Sequence, residues 1–174
     1  MAKNKSTYIR EACLEDLVPL IHLGELFRLE SKVQYPEIEP EAVFQRLQFF
    51  INDPKAFGYV VTRKGELLGF MCGYCEQYTF SFDVGAHSDL IFVPQKYRNT
   101  RAPLLLVKKF IEWSESLGAR TITMDLMTGI KPGQVSKFLG RFGFEECGTC
   151  MVRYNGRDFR GRSETATAPS LSAS

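Results

Sequence analysis

The sequence predicts an α/β sandwich built around a mixed sheet. Three observations carry this. Apolar residues recur at helical spacing in four separate segments, and short runs rich in β-branched and aromatic residues lie between them. The resulting order is strand, two helices, a hairpin, then strand–loop–helix–strand–helix–strand. Within it, residues 88–126 form a strand–helix–strand unit whose strands must be parallel, with a right-handed crossover.

The elements justify themselves in turn. Residues 7–10 read as a short first strand. Residues 14–31 carry Leu17, Leu20, Ile21, Leu26 and Phe27 on one helical face. Residues 31–40 are broken by Pro36 and Pro40 and read as a loop. A second helix begins at Pro40 and Glu41, a proline and an acid that fit a helix N-terminus, and ends at the Asn-Asp-Pro beginning at Asn52. Residues 57–62 and 67–74 are the arms of a hairpin turned by residues 63–66, and residues 79–82 extend its second arm. Residues 83–87 read as a turn or irregular link, 88–93 as a strand and 95–101 as a basic loop. An amphipathic helix over 103–117 sets Leu104, Val107, Phe110 and Ile111 opposite Lys108, Lys109, Glu112 and Glu115, and Gly118 stops it. A strand over 121–126, a helix over 132–142 and one or two closing strands over 144–154 complete the domain. Residues 1–155 are expected to form it. Residues 156–174, basic and then small and polar, carry too little apolar surface to fold and are expected to be a disordered tail.

With 174 residues, the chain buries roughly two thirds of its unfolded surface without disulfide or metal. Net charge is +2, too balanced to mark a nucleic-acid binder, and no apolar run is long enough to span a membrane. The first ten residues lack the apolar core of a secretory signal, so a cytoplasmic protein is expected. Five cysteines, an odd count, fit reduced thiols. Cys72 and Cys75 form one C-x-x-C pair and Cys147 and Cys150 another, 71 residues apart. Both fall in strand-like runs, where residues three apart face opposite sides, so structural thiols rather than a metal site are expected.

The stretch DLIFVPQKYRNTRAPLLL, starting at Asp89, runs a buried strand through a short basic loop straight into a helix. Free N–H groups at that helix start, with Arg98 and Arg101 beside them, make a candidate cradle for phosphate or pyrophosphate. Ala102 supplies no side-chain cap, which leaves those N–H groups to a ligand. A solvated basic loop is the alternative from composition alone.

Residues 92–105, FVPQKYRNTRAPLL, resemble the acetyl-CoA-binding motif of the GNAT N-acetyltransferase superfamily, V-x-P-x-Y-R-G-x-G-x-G followed by an apolar helix. The strand after Leu117 and Gly118, the stretch FLGRFGFEECG from Phe138, and the opening YIREACLEDL from Tyr8 are similar to the corresponding family segments. The resemblance thus covers about residues 6–154. It is most marked toward phage and prophage members whose loop carries Arg-Ala in place of glycines.

The resemblance implies a GNAT-like fold: a mixed, mostly antiparallel sheet with a central parallel βαβ unit and helices on both faces. It implies acetyl-CoA as co-substrate and transfer of acetyl to a primary amine by direct attack on the thioester. Ile91, Phe92 and Val93 would contact the pantetheine arm. Arg98, Asn99, Thr100, Arg101, Ala102 and Pro103 would surround the pyrophosphate, and Ser136 would touch the CoA arm. The three loop glycines of the family fall on Asn99, Arg101 and Pro103, so arginine charge replaces some backbone donors. The tyrosine that often serves as general acid falls on Leu139. Asp89 and His87 are the candidate proton acceptors, two residues apart and so on one face of an extended strand. The acceptor, a small-molecule or protein amine, would sit against residues 32–40 and 78–87, and homodimerisation is compatible with the fold. Leu139, Arg101 and Pro103 also fit an alternative, a GNAT fold kept as a non-catalytic binding or structural module. The near-neutral charge argues against nucleic acid, and no metal is expected.

Overall fold

The computed structural model describes residues 6–125 and 128–154. Five strands form one sheet in the order β1 (Tyr8–Glu11), β2 (Ala56–Arg63), β3 (Glu66–Gln77), β4 (Val84–Phe92) and β5 (Thr121–Met124). All neighbours are antiparallel except β4 and β5, which are parallel and joined through α3 (Ala102–Ser116). Helices α1 (Leu17–Glu30) and α2 (Pro40–Asn52) follow β1, and α4 (Pro132–Gly140) follows β5.

The sheet separates two apolar cores. On one face Phe57, Val61, Met71, Ala86, Leu106 and Phe110 pack together, joining α3 to the sheet. On the other, Leu23 and Phe27 of α1 meet Val60, Leu67 and Phe92. The β2–β3 hairpin turns through Lys64 and Gly65 with φ of 55° and 83°, the left-handed pair that matches strand twist in a two-residue turn. Near the sheet edge, Arg10 grips the buried Asp16 with two bonds, Nη1 to Oδ2 at 2.6 Å and Nη2 to Oδ1 at 2.7 Å. Burial acts against the Asp16 carboxylate. The Arg10 bonds and a 3.0 Å bond from the Cys13 N–H outweigh it, and its pKa lies below the ordinary value.

Four expectations are corrected. β4 begins at Val84, so most of the segment read as a link is strand. Residues 79–82 do not extend β3, which ends at Gln77. Residues 144–154 form no strand and are almost wholly exposed, which puts the parallel β4–β5 pair at the edge of the described sheet rather than at its centre. Cys147 and Cys150 therefore lie on no strand and are exposed, whereas Cys72 and Cys75 are buried on β3. No cluster of metal-ligating side chains occurs among the described residues. No helix among them is long and apolar enough to cross a membrane. The tail expected over 156–174 lies outside the described residues.

Candidate active site

The site begins with a fault in the sheet. Cys72 faces Leu90 and Gly73 faces Ser88, so β4 carries one residue more than β3 there, and Asp89 is the extra one. Two glycines of β3 admit the close approach of β4. A Cβ on Gly73 would stand 2.5 Å from the His87 carbonyl oxygen and 2.9 Å from Phe110 Cε2; one on Gly69 would stand 2.7 Å from the Phe92 carbonyl oxygen. The pairing with β5 stops at the same level, with Ser88 opposite Met124. Beyond that point the β5-facing edge of β4 has no strand partner among the described residues, and a cleft of about 400 Å³ opens between the separated chains.

Asp89, Ile91, Phe92 and Val93 line one wall of this cleft. The start of α3 closes one end with Arg98, Asn99, Thr100 and Pro103. Met124, Asp125 and Lys131 form the opposite wall, with Phe138 and Leu139 of α4. Tyr35, from the loop after α1, completes it. Of the residues singled out in the sequence, Arg101, Ala102, Ser136 and His87 do not line the cleft. Arg101 is exposed at the N-cap of α3, Ala102 is buried beneath it, and Ser136 is half-buried on α4. His87 shares a 2.8 Å hydrogen bond between Nδ1 and Thr123 Oγ1, while its Nε2 lies 3.8 Å from Glu76.

Two charged groups of the cleft, Asp89 and Arg98, have partners. Arg46 of α2 stacks against Phe49 and Phe50 and donates to Asp89 Oδ2 at 2.7 Å, which holds the carboxylate at the cleft wall. Arg98 bonds the Val93 carbonyl through Nε at 2.9 Å and pairs with Glu30 through Nη2. Glu30 also accepts the Gln95 N–H at 3.2 Å. The next residues reach the other bank, where Ser31 Oγ and the Lys32 N–H both bond the Thr128 carbonyl, at 3.2 and 2.9 Å. The last turn of α1 thus ties down both sides of the cleft.

The anion cradle differs from expectation in one respect. Thr100 Oγ1 accepts the Ala102 N–H at 3.2 Å, and Pro103 has no N–H, so the start of α3 offers fewer free donors than its sequence implied. The loss of glycine has no conformational consequence, because no residue from Asn99 to Pro103 has positive φ. Lys131, at φ 45° and ψ 54°, is the described non-glycine residue held left-handed at the cleft. A left-handed lysine before Pro132 carries backbone strain of order 1–3 kcal/mol, which the surrounding structure must hold. Tyr35, Asp125 and Lys131 are cleft residues that sequence reasoning missed. The only signal for them was that loop 32–40 and the end of the last strand flank the site.

No family model and no curated protein matches the chain. Solved structures do. Glucosamine-6-phosphate N-acetyltransferase from Arabidopsis thaliana superposes with a TM-score of 0.69 at 15% identity, over 86% of this chain and 98% of that one. AAC(6')-Iy, solved with the bisubstrate analogue CoA-S-monomethyl-acetylneamine, gives 0.66 at 18% identity, over 87% and 99%. Ribosomal-protein-alanine N-acetyltransferase from Brucella melitensis biovar Abortus 2308 gives 0.62 at 13% identity, over 86% and 99%. At these identities the likeness establishes the fold, and the fold is that of the GNAT N-acetyltransferases.

Proposed function

We propose that the protein is an acetyl-CoA-dependent N-acetyltransferase that passes acetyl to a primary amine by direct attack on the thioester. One observation carries this reading: β4 parts from β5 immediately beyond Ser88 and leaves a backbone edge with no strand partner among the described residues, along an apolar cleft that ends at the start of α3. An extended amide-bearing chain can bond such an edge as a strand would. Pro103 and the bulk at position 101 leave that cleft open, which favours the catalytic reading over a non-catalytic module. The N-acetyltransferases among the similar structures support it, and one of them holds a CoA-linked analogue.

The residues fit acetyl-CoA in an altered way. Ile91, Phe92 and Val93 flank the pantetheine arm. Arg98, fixed by Glu30 and the Val93 carbonyl, and Lys131 across the cleft bring positive charge to the diphosphate end, with Asn99, Thr100 and Pro103 shaping the turn. Arg101 adds an exposed cation at the helix start. The amine nitrogen attacks the thioester carbonyl carbon, and Asp89 takes the amine proton, directly or through water. N–H groups on the free edge of β4 stabilise the oxyanion. His87, held by Thr123 away from the cleft, is assigned no step. The acceptor enters past loop 32–40, and the reaction is placed in the cytoplasm.

Calorimetric titration with acetyl-CoA and with CoA tests the reading, followed by thiol-release assays over a panel of primary amines. Micromolar binding and amine-dependent CoA release are expected. Absence of binding at millimolar ligand overturns it.

A further inference from the structure

A second cavity, of about 330 Å³, opens where the end of α2 meets β1, β2 and α3. It shares no lining residue with the cleft beside β4. We propose that it is a binding site for an organic cation: a substituted ammonium group on an apolar or aromatic body. The inference does not depend on the acetyl-transfer reading.

The cavity is electronegative. Glu11, the last residue of β1, and Asp53, the C-cap of α2, line it, and no lysine or arginine does so among the described residues. Tyr59 Oη donates to Glu11 Oε1 at 2.9 Å, and the Lys55 N–H donates to Asp53 Oδ1 at 2.8 Å. Both carboxylates are thus positioned, and each keeps a second oxygen that bonds no described residue. The end of α2 adds the negative pole of its dipole, and its last turn carries no basic residue. Three nearby cations answer to other carboxylates: Arg10 to Asp16, Arg46 to Asp89, and Lys109 to Glu112 at 3.7 Å.

The walls are aromatic. Trp113, Tyr59 and Phe50 line the cavity. Tyr59 stacks on Phe57 with centroids 4.5 Å apart, and Trp113 meets Phe57 at 5.2 Å and Phe110 at 5.7 Å. Phe57 and Phe110 are fully buried, so the wall rings rest on a fixed base. Gly58 also lines the space; a Cβ there would stand 2.7 Å from Phe50 Cβ, so glycine sets how closely α2 approaches β2. Aromatic rings attract cations through the π face, indole most strongly, and a substituted ammonium loses its water readily enough to profit. Lys109 Nζ, 5.6 Å from the Tyr59 ring centroid, shows that ring already facing a cation. A small, strongly hydrated inorganic cation gains less from such walls, and an anion such as acetyl-CoA is repelled by the two carboxylates.

The test uses the full chain and benzyltrimethylammonium, which has neither an N–H nor a hydroxyl and cannot accept acetyl. Trp113 is the sole tryptophan of the chain, so its fluorescence reports on this cavity, and calorimetry reads the same titration. A saturable response in the millimolar range is expected, with none for neutral benzyl alcohol. Glu11→Gln, which still accepts the Tyr59 hydroxyl, and Asp53→Asn should each weaken binding about five-fold, with folding checked by circular dichroism. Asp89→Asn, in the other cleft, should leave the affinity as it is. Absence of saturation, an equal response to benzyl alcohol, or full affinity in either carboxylate variant of the cavity overturns the site. A loss of affinity in Asp89→Asn places the cation in the acetyl-CoA cleft and overturns it as well. Acetyl-CoA binding and amine-dependent CoA release test the transferase reading separately, and their failure leaves this result standing.

Discussion

Replacing Gly73 by alanine probes the geometry from which the cleft arises. The new methyl carbon would stand 2.5 Å from the His87 carbonyl oxygen and 2.9 Å from Phe110 Cε2. The first is backbone of the neighbouring strand and the second a fully buried ring, so neither can swing aside. Overpacking of this kind costs about 1–3 kcal/mol, and a backbone contact belongs near the upper end. Alanine also narrows the unfolded ensemble relative to glycine, which returns about 0.5–1 kcal/mol. The net loss is about 2 kcal/mol, or roughly 4–8 °C in Tm for a chain of this size. Gly140→Ala is the control, since nothing lies within 4 Å of its added carbon at the end of α4, and its Tm is expected to hold or rise. Thermal melts by circular dichroism read both. Acetyl-CoA affinity should fall in Gly73→Ala as well, because the displaced strand carries Asp89 into the cleft wall. A Gly73→Ala protein that melts with Gly140→Ala and binds as the wild type does would refute the argument.

Asp16→Asn leaves a part-exposed Arg10 without its carboxylate and should cost about 1.5–3 kcal/mol in urea unfolding at neutral pH. The Asp16 pKa is lowered on folding, so its contribution is complete above the unfolded value near pH 4 and is lost as pH falls through the folded value; Asp16→Asn should flatten stability across that acid range. Asp89→Asn should lower turnover about 10²- to 10⁴-fold with little change in acetyl-CoA affinity, read by steady-state kinetics and calorimetry. Thiol titration of the native protein should show Cys147 and Cys150 reacting fast. Cys72, buried on β3 with its thiol pKa pushed well up by that burial, should react only on unfolding.

Local rules reached much of this structure. Pro40 and the Asn-Asp-Pro segment bounded α2 because both act through backbone geometry alone, and the hairpin turn at Lys64 and Gly65 followed from the same kind of signal. The start of β4 escaped because Gly85 and Ala86 have poor strand propensity. The structure uses their smallness instead: a Cβ at Gly85 would meet Tyr78 Oη at 3.2 Å and Thr121 Oγ1 at 3.3 Å. Residues 144–154 misled in the opposite sense, since alternation identifies a segment able to pair without supplying a partner. Within the site, the run from Asp89 to Pro103 was legible because one continuous segment carries it. Its long-range partners were not: Glu30 reaches Arg98 across 68 positions and Arg46 reaches Asp89 across 43, distances at which no spacing rule operates.

The last turn of α1 acts as a common post for two banks that would otherwise move separately. Glu30 moors the loop leading into α3, and Ser31 and Lys32 moor the chain that follows β5. The gape of the cleft is therefore held by a third element as well as by the strands that border it. Loop 32–40 hangs from the same post. An occupant that spreads or narrows the banks pulls on the root of the loop carrying Tyr35, so the two ends of the site are geared together.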